Sequence, residues 1–152
     1  MEQPLPPNGV CNLGSIDLSK FVTPEKTVDY EKLKIATIAS TKFLDKVVGK
    51  TAFPTKEIEE WAKENRAIGV GIMGLADHFL MREITYGSLE SCQELENIMK
   101  FIYDIAEQTS IESGKLLGIP EMCKLLPNSR RNITLLTCAP TGTVSIIAGC
   151  SS

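Results

Sequence analysis

A chain of 152 residues is one domain's worth of sequence, and 43% hydrophobic with 23% charged residues is the balance of an ordinary globular protein. The formal net charge of −3 gives no general electrostatic reason to expect nucleic acid or an anionic membrane as partner, although backbone amides can still bind a small phosphorylated ligand. No run of about 18 apolar residues is present, and Met1 to Pro7 lack the charged and apolar regions of a secretory signal, so the expected location is cytoplasmic.

Glu2 to Gly9 is proline-rich and is expected to be extended. Val10 to Leu18 reads as a strand followed by a turn. Tyr30 to Val48 has helical spacing, with Leu33, Ala36, Phe43, Leu44 and Val47 near one face, Asp29 as N-cap and Gly49 as terminator. Thr55 to Asn65 is a shorter helix capped by Thr55 behind Pro54. Ala67 to Met73 is apolar and glycine-containing, a buried strand, and Leu75 to Arg82 is helical. Ser88 opens the clearest helix, in which Leu95, Ile98, Met99, Ile102, Ile105 and Ala106 keep the period and Gly114 stands just beyond the end. Ile133 to Thr137 reads as a buried strand leading into Ala139-Pro140-Thr141-Gly142-Thr143 and a final segment. Helices alternating with apolar strands indicate α/β topology, but two or three strands are too few for a parallel sheet covered on both faces. A piece of a larger fold is expected.

The five cysteines, Cys11, Cys92, Cys123, Cys138 and Cys150, are odd in number and irregularly spaced, unlike a secreted disulfide framework. With one histidine, His78, they offer no four-ligand zinc spacing. Gly69-Val70-Gly71-Ile72-Met73-Gly74 matches GxGxxG. A dinucleotide-binding turn needs those glycines to follow a strand, and no acidic residue ends a second strand about 20 positions on. Here the preceding Glu60 to Arg66 is polar and helical, so the glycines fall inside the strand and are expected to serve close packing.

Ala139-Pro140-Thr141-Gly142-Thr143-Val144-Ser145 suits phosphate better. Gly142 can aim successive N–H groups inward, Thr141, Thr143 and Ser145 add hydroxyls, and a following helix adds its positive end. An ordinary capped strand-to-helix turn would look similar. A single cysteine is more often buried and inert than reactive, and a carboxylate beside prolines is ordinarily just exposed, so spacing alone gives Cys11 and Glu2 no role.

Four blocks, in order, resemble the large chain of the adenosylcobalamin-dependent (class II) ribonucleotide reductases. They are Glu2 to Leu5 with Cys11 to Leu18; Asn65 to Asp77; Pro127 to Asn132; and Ala139 to Thr143 with Ile146 to Ser152. The resemblance implies one fragment, residues 1–152, of a ten-stranded α/β barrel, helix-rich with few strands here. The family's central loop carries a radical cysteine in Asn-Pro-Cys-Gly-Glu. Glu2 resembles that glutamate, Met1 stands where the glycine belongs, and the radical cysteine is expected on the missing N-terminal part.

The resemblance further implies ribonucleoside di- or triphosphate reduction by a thiyl-radical mechanism, with Glu2 as base and Cys11 as one of two redox thiols. Ala139, Pro140, Thr141, Gly142, Thr143 and Ser145 would hold the substrate phosphate. It implies adenosylcobalamin as cofactor and an external dithiol such as thioredoxin as reductant. The partners are then a ribonucleotide and a complementary polypeptide carrying the radical cysteine, or a second copy, with no nucleic acid and no membrane. The isolated chain is expected to be inactive. An alternative is a nucleotide-phosphate-binding or assembly module without catalysis.

Overall fold

The computed structural model describes residues 2–152, so Met1, aligned with the motif glycine, lies outside the described residues. Side-chain caps set the starts of three helices as the sequence predicts. The Asp29 carboxylate accepts the Lys32 N–H at 2.9 Å and opens α1, Tyr30–Lys50. Thr55 accepts from Ile58 and opens α2, Lys56–Asn65. Ser88 accepts from Ser91 at 3.1 Å and opens α4, Leu89–Leu117. Helix α3, Leu75–Arg82, follows Gly74, and a fifth helix, α5, runs Gly142–Ala148.

The helix ends differ from expectation. Gly49 lies inside α1, which stops at Thr51. Gly114 lies inside α4, buried, where an added Cβ would meet Ile119 Cγ1 at 3.0 Å. The real terminator is Gly118, at φ +88°. The inward face of α1 also differs. Phe43 is 66% exposed, whereas Thr37 and Thr41 are buried. Each threonine hydroxyl donates to the carbonyl four residues back, Leu33 and Thr37 respectively, so burial leaves no unpaired group.

Two strands form an open parallel pair: β1, Asn12–Asp17, beside β2, Ile68–Met73, with Asn12 opposite Ile68 and Asp17 opposite Met73. The expected strand Ile133 to Thr137 is reduced to a single parallel bridge, Leu136 to Val70. It still follows β2: Val70 N–H donates to Leu135 O at 2.7 Å and Thr137 N–H to Val70 O at 3.1 Å. The core lies where α1 and α4 cover this layer, with Leu33, Ile68, Val70, Ile98 and Ile102 almost fully buried. Each such side chain contributes roughly 1.5–3 kcal/mol. No helix among the described residues is long and apolar enough to cross a membrane.

Candidate active site

The two strand glycines of the GxGxxG run share one face of β2, because side chains alternate along a strand. A Cβ on Gly69 would meet Thr137 Cγ2 at 2.6 Å, and one on Gly71 would meet Thr137 O at 2.7 Å. Their bareness lets the chain at Thr137 lie over β2. It then reaches β1, where Leu13 and Ser15 are the register partners of Gly69 and Gly71. The third glycine, Gly74, has φ +69° and sits against Asp17 at the entry to α3. Gly69 and Gly71 therefore serve close packing as the sequence suggested, whereas Gly74 lies beyond the strand, in the left-handed turn into α3.

The loop that emerges from this crossing walls a cleft of about 360 Å³ against β1. Leu13, Gly14 and Ser15 form one side; Ala139, Pro140, Thr141, Gly142, Thr143 and Val144 form the other. Five of the six residues expected to hold phosphate thus line one cavity. The sixth, Ser145, is buried, and its hydroxyl donates to Gly142 O at 2.9 Å, which stabilises the first turn of α5. The left-handed residue is Thr141 (φ +54°, ψ +13°), not Gly142. The Thr141 Oγ1 is buried without a hydrogen-bond partner. The β1 side of the cleft was not singled out in the sequence; alternation between Leu13 and Ser15 is the signal that could have found it.

Cys11 sits just before β1 and is not among the residues lining the cleft. It is a half-buried free thiol. Burial pushes the thiol up from its ordinary pKa, and the neighbouring Thr134 hydroxyl partly opposes this. Thr134 is itself fixed, donating to Ile68 O at 3.0 Å. Glu2 is exposed and is not among the residues lining the cleft. Its neighbour Gln3 donates from Nε2 to Leu136 O, laying the N-terminal segment against the same stretch that leads into the loop. That segment turns at Pro6 to Gly9, with the Gly9 N–H on Pro6 O at 2.9 Å and Asn8 at φ +64°.

The other cysteines differ in setting. Cys92 and Cys138 are exposed. Cys123 is buried, its Sγ donating to Asn65 O and Arg131 O at 3.3 Å, and burial pushes its thiol up to about 11. Burial, with Asp17 and Asp77 beside it, raises Cys150. No group of three or more His, Cys, Asp or Glu among the described residues is arranged to hold a metal ion.

A buried ionic cluster ties α1 to the stretches that enter β2 and Ile133. Asp45 of α1 accepts from Arg66 Nε at 2.7 Å, Arg131 Nε at 3.0 Å and Asn132 Nδ2 at 3.0 Å. Burial would raise the Asp45 carboxyl, but the two guanidinium groups hold it below the usual carboxylate range. Arg66 takes a left-handed conformation (φ +45°) at the end of α2, a strained choice held by this pairing. Asn132 also donates to Arg66 O and accepts from Ser110, so the stretch entering Ile133 is fixed to α1, α4 and the start of β2 together.

The two parallel strands thus form an open sheet packed under long helices, with a loop folded back over its glycine face. The family model described as "Ribonucleotide reductase, barrel domain" matches residues 1–123. The chain belongs to that family. A vitamin B12-dependent ribonucleoside-diphosphate reductase of Thermoplasma acidophilum is 40% identical over 99% of the chain and 20% of its own length. A relative of the same description from Mycobacterium tuberculosis is 34% identical over 97% of the chain and 22% of its own length. The alpha subunit of the Actinobacillus ureae class Id ribonucleotide reductase superposes with a TM-score of 0.73 at 27% identity, covering 93% of this chain and 27% of that one. The chain therefore spans about a fifth of the length of the curated relatives it matches.

Proposed function

We propose that these residues form the part of a ribonucleotide reductase barrel that holds the substrate phosphate and supplies one reducing thiol and one carboxylate. The observation that carries this reading is the cleft itself, in which the loop Ala139 to Thr143 faces Leu13, Gly14 and Ser15 of β1, the strand that Cys11 directly precedes. The substrate is a ribonucleoside di- or triphosphate, the diphosphate being named in the relatives' descriptions.

In this reading Thr141, Gly142 and Thr143 bind phosphate oxygens, with Ala139 and Pro140 shaping the wall and Ser145 supporting the turn. A thiyl radical on a complementary polypeptide or segment takes the 3′-hydrogen of the ribose. Glu2 accepts the 3′-hydroxyl proton while the 2′-hydroxyl leaves as water. Cys11 and a second thiol then supply two electrons and two protons and end as a disulfide, which an external dithiol such as thioredoxin reduces by exchange. A raised thiol pKa suits this role, because Cys11 is then held as S–H, the form that carries the hydrogen to be delivered.

Adenosylcobalamin, taken from the relatives' descriptions, would supply the initiating radical. The one histidine, His78, is fully buried with its ring nitrogens on Leu18 O and Glu94 Oε1, so it offers no free ligand nitrogen. The site of action is the cytoplasm. Titration with a ribonucleoside diphosphate tests the phosphate reading. Saturable binding that is lost in Thr141→Ala and Thr143→Ala supports it, and equal binding by the variants would overturn it.

A further inference from the structure

Helix α3 begins without a side-chain cap of its own, since its N-cap is Gly74. The first N–H groups of a helix have no partner within it and need one elsewhere. Here they are met from the other end of the chain. Gly74 N–H donates to Ser151 O at 2.6 Å, and Asp77 N–H donates to Ser151 Oγ at 3.3 Å. In return the Asp77 carboxylate accepts the Ser151 N–H at 2.6 Å. The pattern is that of a reciprocal capping box, with a serine hydroxyl on the first turn and an acidic side chain answering it. Its halves, however, are separated by 74 residues.

This joint has a consequence for the loop. Helix α5 has seven residues and buries only Ser145, so it is not held by packing of its own apolar side chains. The stretch from Ala139 to Gly149 is instead fastened at its two ends. Upstream, Leu135 and Thr137 are bonded to Val70. Downstream, Ser151 is bonded to Gly74 and Asp77. The geometry points to Asp77 as a positioning residue for the substrate-phosphate loop: through Ser151 it fixes the far end of α5 and so the place of Thr141 to Thr143. The inference rests on the phosphate reading above and adds a residue that touches no part of the cleft.

The test compares the full chain with Asp77→Ala and Asp77→Asn, the latter keeping a side-chain oxygen able to accept from Ser151. Two readouts are taken: binding of a ribonucleoside diphosphate, and amide hydrogen exchange resolved by segment. Asp77→Ala is expected to weaken binding about tenfold, the scale of one lost charge-assisted hydrogen bond. Exchange should quicken from Thr141 to Cys150 while the amides of α1 and α4 keep their protection. Asp77→Asn is expected to recover most of both. Unchanged exchange over Thr141 to Cys150 in Asp77→Ala overturns the anchor, as does binding equal to that of the parent chain. Faster exchange across α1 and α4 as well would mean general destabilisation and also overturns it. If the parent chain binds no nucleotide, the phosphate reading has failed, and exchange alone decides whether Asp77 holds the loop.

Discussion

The Thr137 carbonyl lies 2.7 Å from the place a Cβ on Gly71 would occupy. That closeness is what lets the chain cross β2 and bring the Ala139 to Thr143 loop to β1. The neighbour is backbone, and its residue is held in place by the Thr137 N–H donating to Val70 O, so it cannot swing aside. Gly71→Ala is therefore expected to destabilise the fold by about 1–3 kcal/mol, the usual scale of overpacking. Gly142 has open space where its Cβ would stand and no left-handed φ, so Gly142→Ala should change stability by less than about 0.5 kcal/mol. Urea unfolding of the two variants checks the contrast.

Asp45 makes a pH-dependent contribution. Its carboxyl is held below its unfolded value by Arg66 and Arg131. The stabilisation is thus complete above the unfolded carboxylate pKa, near 3.9, and is lost as pH falls through the folded value. Asp45→Ala leaves two buried guanidinium groups without their carboxylate and should cost about 3–5 kcal/mol at neutral pH. The gap between parent and variant should narrow as pH is lowered, measured by urea midpoints across the acid range. A gap that stays constant would contradict the assignment.

Thiol reactivity follows from burial. With iodoacetamide at about pH 8, Cys92 and Cys138 should be modified first, Cys11 more slowly and Cys123 last, because the thiolate is the reacting form. Peptide mapping of a time course reads the order. Cys11 reacting fastest would mean an activated thiolate and would contradict its role as a hydrogen-carrying thiol.

How much of this was legible in the sequence depends on whether the deciding contact was local. Asp29, Thr55 and Ser88 act within one turn, and their caps were readable. Gly114 and Gly118 are the same letter. Only the approach of Ile119 makes the first a packing residue and leaves the second as terminator. Phe43 fits a helical stripe, yet the buried row runs through Thr37, Thr41 and Asp45, polar residues whose partners lie one turn back or on distant arginines. In the cleft, the loop was marked by its composition; the alternation of Leu13 and Ser15 was readable too, but only the register of β1 on β2 shows that they face the loop. The Asp77–Ser151 joint was invisible because nothing local distinguishes either residue.

The outer face of α5 is apolar, with Val144 at 54%, Ile146 at 80% and Ile147 at 84% exposure. Contiguous exposed apolar surface of this kind promotes association. The chain alone is expected to elute as a dimer or larger species on sizing chromatography, and Ile146→Lys with Ile147→Glu should shift it towards monomer. A parent chain that is monomeric at all concentrations would contradict an uncovered barrel face.

The proposed role of these residues is to supply the phosphate loop and one reducing thiol to a reductase barrel. The most direct test mixes the chain with a polypeptide carrying the Asn-Pro-Cys-Gly radical cysteine, adenosylcobalamin, a dithiol and a ribonucleoside diphosphate, and measures deoxyribonucleotide. The account predicts product from the mixture, none from the chain alone, and loss of turnover in Cys11→Ser. A mixture that binds nucleotide but yields no product, or a Cys11→Ser chain that supports full turnover, would contradict it.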